Sequence, residues 1–122
     1  MNHIPFDPKF AMPTISEQAR ATLAHVVLAE LDRATAKFPT WPTDPLHAMG
    51  VLHEEVGELA KAVLQLVYEP HKSTFSDVRA EATQAAAMAL RFLMSLDNYT
   101  WRPCEQHSQS TPAAATAAPS TP

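Results

Sequence analysis

Glycine and cysteine are scarce in this chain, and long apolar runs are missing. The 122 residues include 2 Gly and 1 Cys. Because the favoured hairpin turns depend on glycine, so few glycines argue against an all-β fold. The single cysteine, Cys104, permits no internal disulfide and cannot by itself build a zinc site. Since neither a signal-peptide core nor a bilayer-length apolar stretch is visible, we expect a cytoplasmic protein with no membrane partner.

Positive charge is also in short supply. Nine Lys and Arg residues stand against 13 Asp and Glu residues, which gives a formal net charge of −4. Nucleic-acid-binding proteins usually carry a basic surface, so this composition argues against general nucleic-acid binding. Hydrophobic residues make up 46% of the chain, which is enough for a core in a single domain.

Eleven prolines punctuate the chain and leave three proline-free windows, at 14–38, 46–69 and 71–102. Proline is expelled from helix interiors, so these windows, rich in Ala and Leu, predict three helices. We expect the first helix to be capped by Thr14 or Ser16 and to stop near Lys37 or Phe38, before Pro39. The second is predicted to begin at Asp44-Pro45 and to end near Glu69.

The third helix is predicted to begin near Ser76 or Asp77 and to continue to about Leu96. A loop as short as 70–75 makes the second and third helices antiparallel neighbours. The sequence therefore predicts an all-α antiparallel helical bundle.

The ends of the chain differ in composition from this helical region. Residues 1–13 contain three prolines and predict an irregular arm. The helical domain is predicted to span 14–103. Residues 104–122 are mostly Ala, Ser, Thr and Pro, a composition that predicts a disordered tail.

Helical periodicity places acidic residues inside the apolar stripes of two helices. Glu55 falls among apolar residues of the second helix, and Glu81 falls among those of the third. Glu58 and Gln84 each follow three residues later. A buried carboxylate must be neutralised, paired or bound to a metal. Oxygen ligands without His or Cys favour Mg²⁺ or Mn²⁺, although Glu-rich helices are also typical of solvated faces.

The segment His53-Glu54-Glu55-Val56-Gly57-Glu58-Leu59 resembles the Glu-Glu-x-x-Glu-Leu signature of the MazG-like nucleoside triphosphate pyrophosphohydrolases. In that family a Glu-x-x-Asp follows on the next core helix, and Glu81-Ala82-Thr83-Gln84 occupies that place here. The resemblance covers about residues 15–98. It implies an all-α bundle that cuts a nucleoside triphosphate between its α and β phosphates. The resemblance also implies that the products are a monophosphate and pyrophosphate, that the cofactor is Mg²⁺, and that the assembly is a homodimer or homotetramer.

Carried over to this sequence, the resemblance implies that Glu55, Glu58 and Glu81 are metal ligands. Glu54 is implied to bind the ion, to stand beside it, or to orient the attacking water. Gln84 stands where the family has Asp, and its amide oxygen can coordinate but brings no charge. The alternative to an active enzyme is therefore a nucleotide-binding helical oligomer that is weak or inactive. A purely structural helical oligomer is a third interpretation.

Five further residues are candidates for substrate binding. Lys61, Lys72 and Arg79 lie where a triphosphate needs cationic partners. For Lys61 the preferred interpretation is a solvated lysine paired with Glu58, whereas Lys72 and Arg79 are equally typical of a solvated surface. Trp41 is placed to stack on a base or to cover the core, and His47 to touch a base or sugar.

The third helix is apolar nearly all round, so we expect Leu90 and Leu93 on its far side to need a partner.

Overall fold

The structure is a computed structural model that describes residues 9–102. This part of the chain contains helices and no strand, which confirms the all-α prediction. Residues 9–16 form no regular element. The predicted tail at 104–122 and the first eight residues of the predicted arm lie outside the described residues. The elements are α1 (Glu17–Lys37), α2 (Pro45–Tyr68), α3 (Phe75–Met94) and a 3₁₀ turn (Leu96–Asn98).

The first two helices begin and end as their sequence signals predict. Ser16, one of the two predicted caps, accepts a hydrogen bond from the N–H of Ala19 at 3.1 Å. Asp44 caps α2 by accepting from the N–H groups of Leu46 and His47 at 2.7 and 3.1 Å. Both helices stop shortly before the next proline in the chain, because proline cannot continue a helix.

Helix α3 begins at Phe75, next to the predicted start near Ser76, but the predicted cap is wrong, because the N-cap is Thr74 rather than Ser76 or Asp77. The hydroxyl of Thr74 accepts from the N–H of Asp77 at 3.2 Å, and the Asp77 carboxylate accepts from the N–H of Thr74 at 2.8 Å. This is a capping box with Asp in the place of the usual Glu. The hydrogen bonds from the Thr74 hydroxyl and N–H lower the pKa of the Asp77 carboxyl. The helix also ends at Met94, two residues earlier than predicted.

Helix α3 is the centre of the fold, with α1 and α2 on either side of it. In the described residues no Cα atom of α1 lies within 8 Å of one in α2. The main core cluster joins Leu31 and Ala34 of α1 to Ala87 and Met88 of α3. Small side chains such as these allow helices to approach closely, so a row of alanines suits a helix that is packed on two sides.

The prediction that Leu90 needs a partner from outside the chain is wrong. Leu90 packs against the core cluster because α1 covers this side of α3. Leu93 has 60% of its surface exposed and stays uncovered within residues 9–102. None of the helices that the structure describes is long and apolar enough to cross a membrane.

The connection between α1 and α2 is fastened by Arg91 of α3. This arginine is buried, and its Nη2 donates to the carbonyls of Phe38 and Thr40 at 2.7 and 3.1 Å. Its guanidinium lies 4.8 Å from the ring centre of Trp41. The indole N–H of Trp41 donates to the hydroxyl of Tyr99 at 2.9 Å. These contacts hold the α1–α2 connection against the C-terminal part of α3 and the residues that follow it.

Candidate functional site

Two half-buried carboxylates, Glu55 on α2 and Glu81 on α3, form the centre of the candidate site. Neither has an ion-pair partner in the part of the chain that the structure describes. Burial raises the pKa of Glu55, and the neighbouring Glu81, Glu54, Glu58 and Glu30 raise it further. A carboxylate surrounded by four others binds a proton or another cation more readily than an isolated one does.

The aromatic cavity lies on one side of these acids, between α2, α3 and the α1–α2 connection. Its volume is about 380 Å³. Glu54 and Glu55 face its aromatic and apolar side chains. The lining residues are Phe38, Thr40, Trp41, Pro42, Val51, Glu54, Glu55, Met88 and Arg91. A cavity with an aromatic wall and a few polar groups is the usual form of a small-molecule site.

The lysine cleft lies on the other side, between α2 and the beginning of α3, and has a volume of about 180 Å³. It brings together Glu58, Glu81 and the two lysines predicted to bind phosphate. The lining residues are Glu58, Lys61, Ala62, Gln65, Lys72, Ser73, Asp77 and Glu81. Since the later half of α2 meets the beginning of α3 here, the two helices are antiparallel, as predicted.

Each lysine of the cleft forms an ion pair with a glutamate three residues earlier in the chain. Lys61 Nζ lies 3.5 Å from the carboxylate of Glu58, which is the surface pairing considered from the sequence. Lys72 Nζ lies 2.6 Å from the carboxylate of Glu69. All four side chains are about half exposed, so both ion pairs are weak and exchange readily for other partners.

Helix α1 contributes an acid that the sequence analysis missed. The side chain of Glu30 is 15% exposed and accepts a hydrogen bond from Arg33 Nε at 2.8 Å. This bond lowers the pKa of Glu30, and the same pairing raises the pKa of Arg33. The acid of α1 still influences Glu55 electrostatically. The sequence does contain a sign of this acid, the Glu30-x-x-Arg33 spacing beside the buried Leu31. However, only the packing of α1 shows that Glu30 lies close enough to influence Glu55.

The remaining predicted residues lie in different places. Gln84 and Arg79 line a groove between α1 and α3 that shares no lining residue with the lysine cleft. His47 is exposed in the first turn of α2 and lines neither the aromatic cavity nor the lysine cleft. Trp41 is half-buried and serves both as a wall of the aromatic cavity and as a partner of Arg91.

The acids fit a metal ion in charge and in donor type. Glu55 and Glu81 supply hard oxygen ligands of the kind that Mg²⁺ or Mn²⁺ prefers. Among residues 9–102, however, no three His, Cys, Asp or Glu side chains are gathered so as to hold an ion. The carboxylate of Glu58 is turned towards Lys61. For Glu58 to act as a ligand as well, its carboxylate must leave this lysine.

Comparisons with known proteins identify no relative. No protein-family model, no curated protein and no solved structure matches this chain.

Proposed function

We propose that this protein hydrolyses a nucleoside triphosphate to the monophosphate and pyrophosphate with the help of Mg²⁺, as its resemblance to the MazG-like family implies. Mn²⁺ is a possible substitute for the ion. The observation that carries the proposal is the pair of half-buried acids, Glu55 and Glu81, on facing helices, neither of which forms an ion pair with a described residue, although Arg33 acts on Glu55 from a greater distance. A divalent cation would remove the repulsion and desolvation that this arrangement costs.

In this proposal Glu55, Glu58 and Glu81 hold the ion. The ion would supply positive charge against the phosphate oxygens and make the α-phosphorus easier to attack. The aromatic cavity would take the nucleoside, with Trp41 and its apolar walls against the base. Glu54, which is exposed at the rim of that cavity, would orient the attacking water and accept its proton. The bond between the α-phosphorus and the bridging oxygen breaks, and pyrophosphate leaves.

The alternative proposal is a nucleotide-binding protein with little or no turnover. It is favoured by the position of Gln84, which lines the α1–α3 groove together with Glu30 and Arg33. A neutral amide there adds no charge to the metal site, and Glu30 is already committed to Arg33. Hard cations respond to the number of charged ligands, so the affinity for a metal falls as carboxylates are lost.

We also propose that the protein is a homodimer or a homotetramer. Within residues 9–102, α3 is the only helix that packs against α2, and much of the remaining apolar surface of α2 is exposed. Extended exposed apolar surface on a folded protein marks an interface. The exposed apolar residues of α2 are Leu46, Met49, Val56, Val63, Leu64, Val67 and Tyr68.

The decisive experiment measures pyrophosphate release from a panel of ribo- and deoxyribonucleoside triphosphates in the presence of Mg²⁺. Turnover that Glu54→Gln and Glu55→Gln abolish supports hydrolysis, whereas the control Glu17→Gln, at an exposed acid in the first turn of α1, should keep it. Tight nucleotide binding without turnover supports the alternative. If nucleotides neither bind nor react, both proposals fail and the structural oligomer remains.

A further inference from the structure

The lysine cleft contains a buried hydroxyl that has no hydrogen-bond partner among the described residues. Ser73, the residue before the N-cap of α3, has only 4% of its surface exposed. Its Oγ is buried and makes no hydrogen bond to any described residue. Ser73 is one of the residues that line the cleft, so a ligand bound there would lie next to it. A buried polar atom without a partner costs free energy, so its retention calls for an explanation such as a bound ligand.

Two ammonium groups share the cleft with this hydroxyl. Lys61 comes from α2 and Lys72 from the loop before α3, so the cleft gathers donors from two segments of the chain. Each forms one exposed ion pair with a described residue: Lys61 with Glu58 at 3.5 Å, and Lys72 with Glu69 at 2.6 Å. Phosphate oxygens accept hydrogen bonds from lysine and serine side chains, and a charged acceptor makes each of these bonds stronger.

The charges of the cleft restrict the ligand. Its lining carries two lysines and three acids, Glu58, Asp77 and Glu81. One oxygen of Asp77 is already occupied by the N-cap residue. A phosphate without a cation would be repelled, because the cleft carries more acids than lysines. A phosphate bound to a divalent cation is compatible with both the acids and the lysines. The acids then face the cation, and the lysines and the hydroxyl face the phosphate.

We propose that Ser73, Lys61 and Lys72 form the subsite for the β- and γ-phosphates of the substrate, and hence for the leaving pyrophosphate. This inference rests on the proposed function, because only cleavage between the α and β phosphates produces that group. Its place along α2 fits: Glu54 borders the aromatic cavity, and Lys61 lies seven residues further on. At about 1.5 Å per residue this is roughly 10 Å, a separation suited to a nucleoside at one end and the last phosphates at the other.

The test is calorimetric titration of pyrophosphate, with Mg²⁺ present, into the full chain. Ser73→Ala should weaken pyrophosphate binding about tenfold or more, because it removes a hydrogen bond to a charged group. Lys72→Met should weaken it at least as much. The matched controls are Ser76→Ala, an exposed serine in the first turn of α3, and Lys37→Met, at the end of α1. Neither lines the cleft, and both should bind pyrophosphate as the parent does.

Melting of the ligand-free protein separates a binding role from a structural one. Because the Ser73 hydroxyl bonds to no described residue, Ser73→Ala should melt at the parent temperature or above it. A clearly lower melting temperature overturns the inference, since the hydroxyl would then be part of the fold. Unchanged pyrophosphate affinity, or equal weakening by Ser73→Ala and Ser76→Ala, overturns it as well.

The failure of this inference is distinguishable from the failure of the proposed function. If nucleotides are hydrolysed and Ser73→Ala changes neither turnover nor pyrophosphate affinity, the subsite is wrong and the function stands. If no nucleotide is hydrolysed but pyrophosphate binding depends on Ser73 and Lys72, the phosphate subsite stands and the hydrolase proposal falls.

Discussion

Replacement of Arg91 by methionine should destabilise the protein strongly, because this buried arginine ties α3 to the α1–α2 connection. Its Nη2 donates to two carbonyls, of Phe38 and Thr40, and its guanidinium stacks on Trp41. A hydrogen bond from a charged donor contributes about 1.5–3 kcal/mol, and the cation–π contact about 0.5–1 kcal/mol. Methionine keeps part of the apolar packing and relieves the burial of a charge, so the net loss should be about 2–4 kcal/mol.

Urea denaturation followed by circular dichroism at 222 nm on the helix signal measures this loss. For a domain of this size the melting temperature should fall by at least about 8 °C. Arg79→Met is the matched control, because Arg79 is exposed and its side chain has no partner among the described residues. If Arg91→Met and Arg79→Met both lose less than about 0.5 kcal/mol, the fastening role of Arg91 is refuted.

Four further predictions follow from the structure. Glu55→Gln should stabilise the metal-free protein at about pH 7, and the gain should vanish towards about pH 4 in pH-dependent melting; a gain that grows on acidification would contradict this. The sign follows from the raised pKa of Glu55, since ionisation of such an acid destabilises the folded state. Thr74→Ala should cost about 1 kcal/mol in urea denaturation because it removes the cap of α3, whereas an unchanged midpoint would refute the capping role. Gly57→Ala should gain about 0.5–1 kcal/mol in urea denaturation at a concentration where the chain is monomeric, because an added Cβ meets nothing within 4 Å in a single chain; a loss under those conditions would contradict this. Light scattering should give at least a dimer of the 13.4 kDa chain, and a monomer at micromolar concentration would exclude the proposed assembly.

The features that the sequence predicts well are local. Asp44 followed by Pro45 marks the start of α2 because the cap and the helix share adjacent residues. Pro39 and Pro70 end the first two helices for the same kind of reason. The half-buried position of Glu55 follows from helical periodicity, which depends only on the residues of its own helix.

The features that the sequence does not predict depend on which helices meet. Leu90 was expected to need a second subunit, because nothing in the sequence of α3 shows that α1 covers it. Glu30 affects Glu55 only through the packing of α1 on α3. Arg79 follows the lysine-bearing loop in sequence, yet it lines the α1–α3 groove and not the lysine cleft. Half a helical turn separates opposite faces of a helix, and the neighbouring helix determines what each face contacts.

The most direct test of the metal-site account is the melting temperature of the full chain with and without Mg²⁺ or Mn²⁺. An ion that binds only the folded state stabilises it by mass action, so either ion should raise the melting temperature of the parent. Glu55→Gln and Glu81→Gln should abolish this response and leave the metal-free protein at least as stable, while Glu17→Gln should respond as the parent does. If the parent and Glu55→Gln melt alike with and without the ions, the acids of α2 and α3 hold no metal and the hydrolase proposal loses its chemical basis.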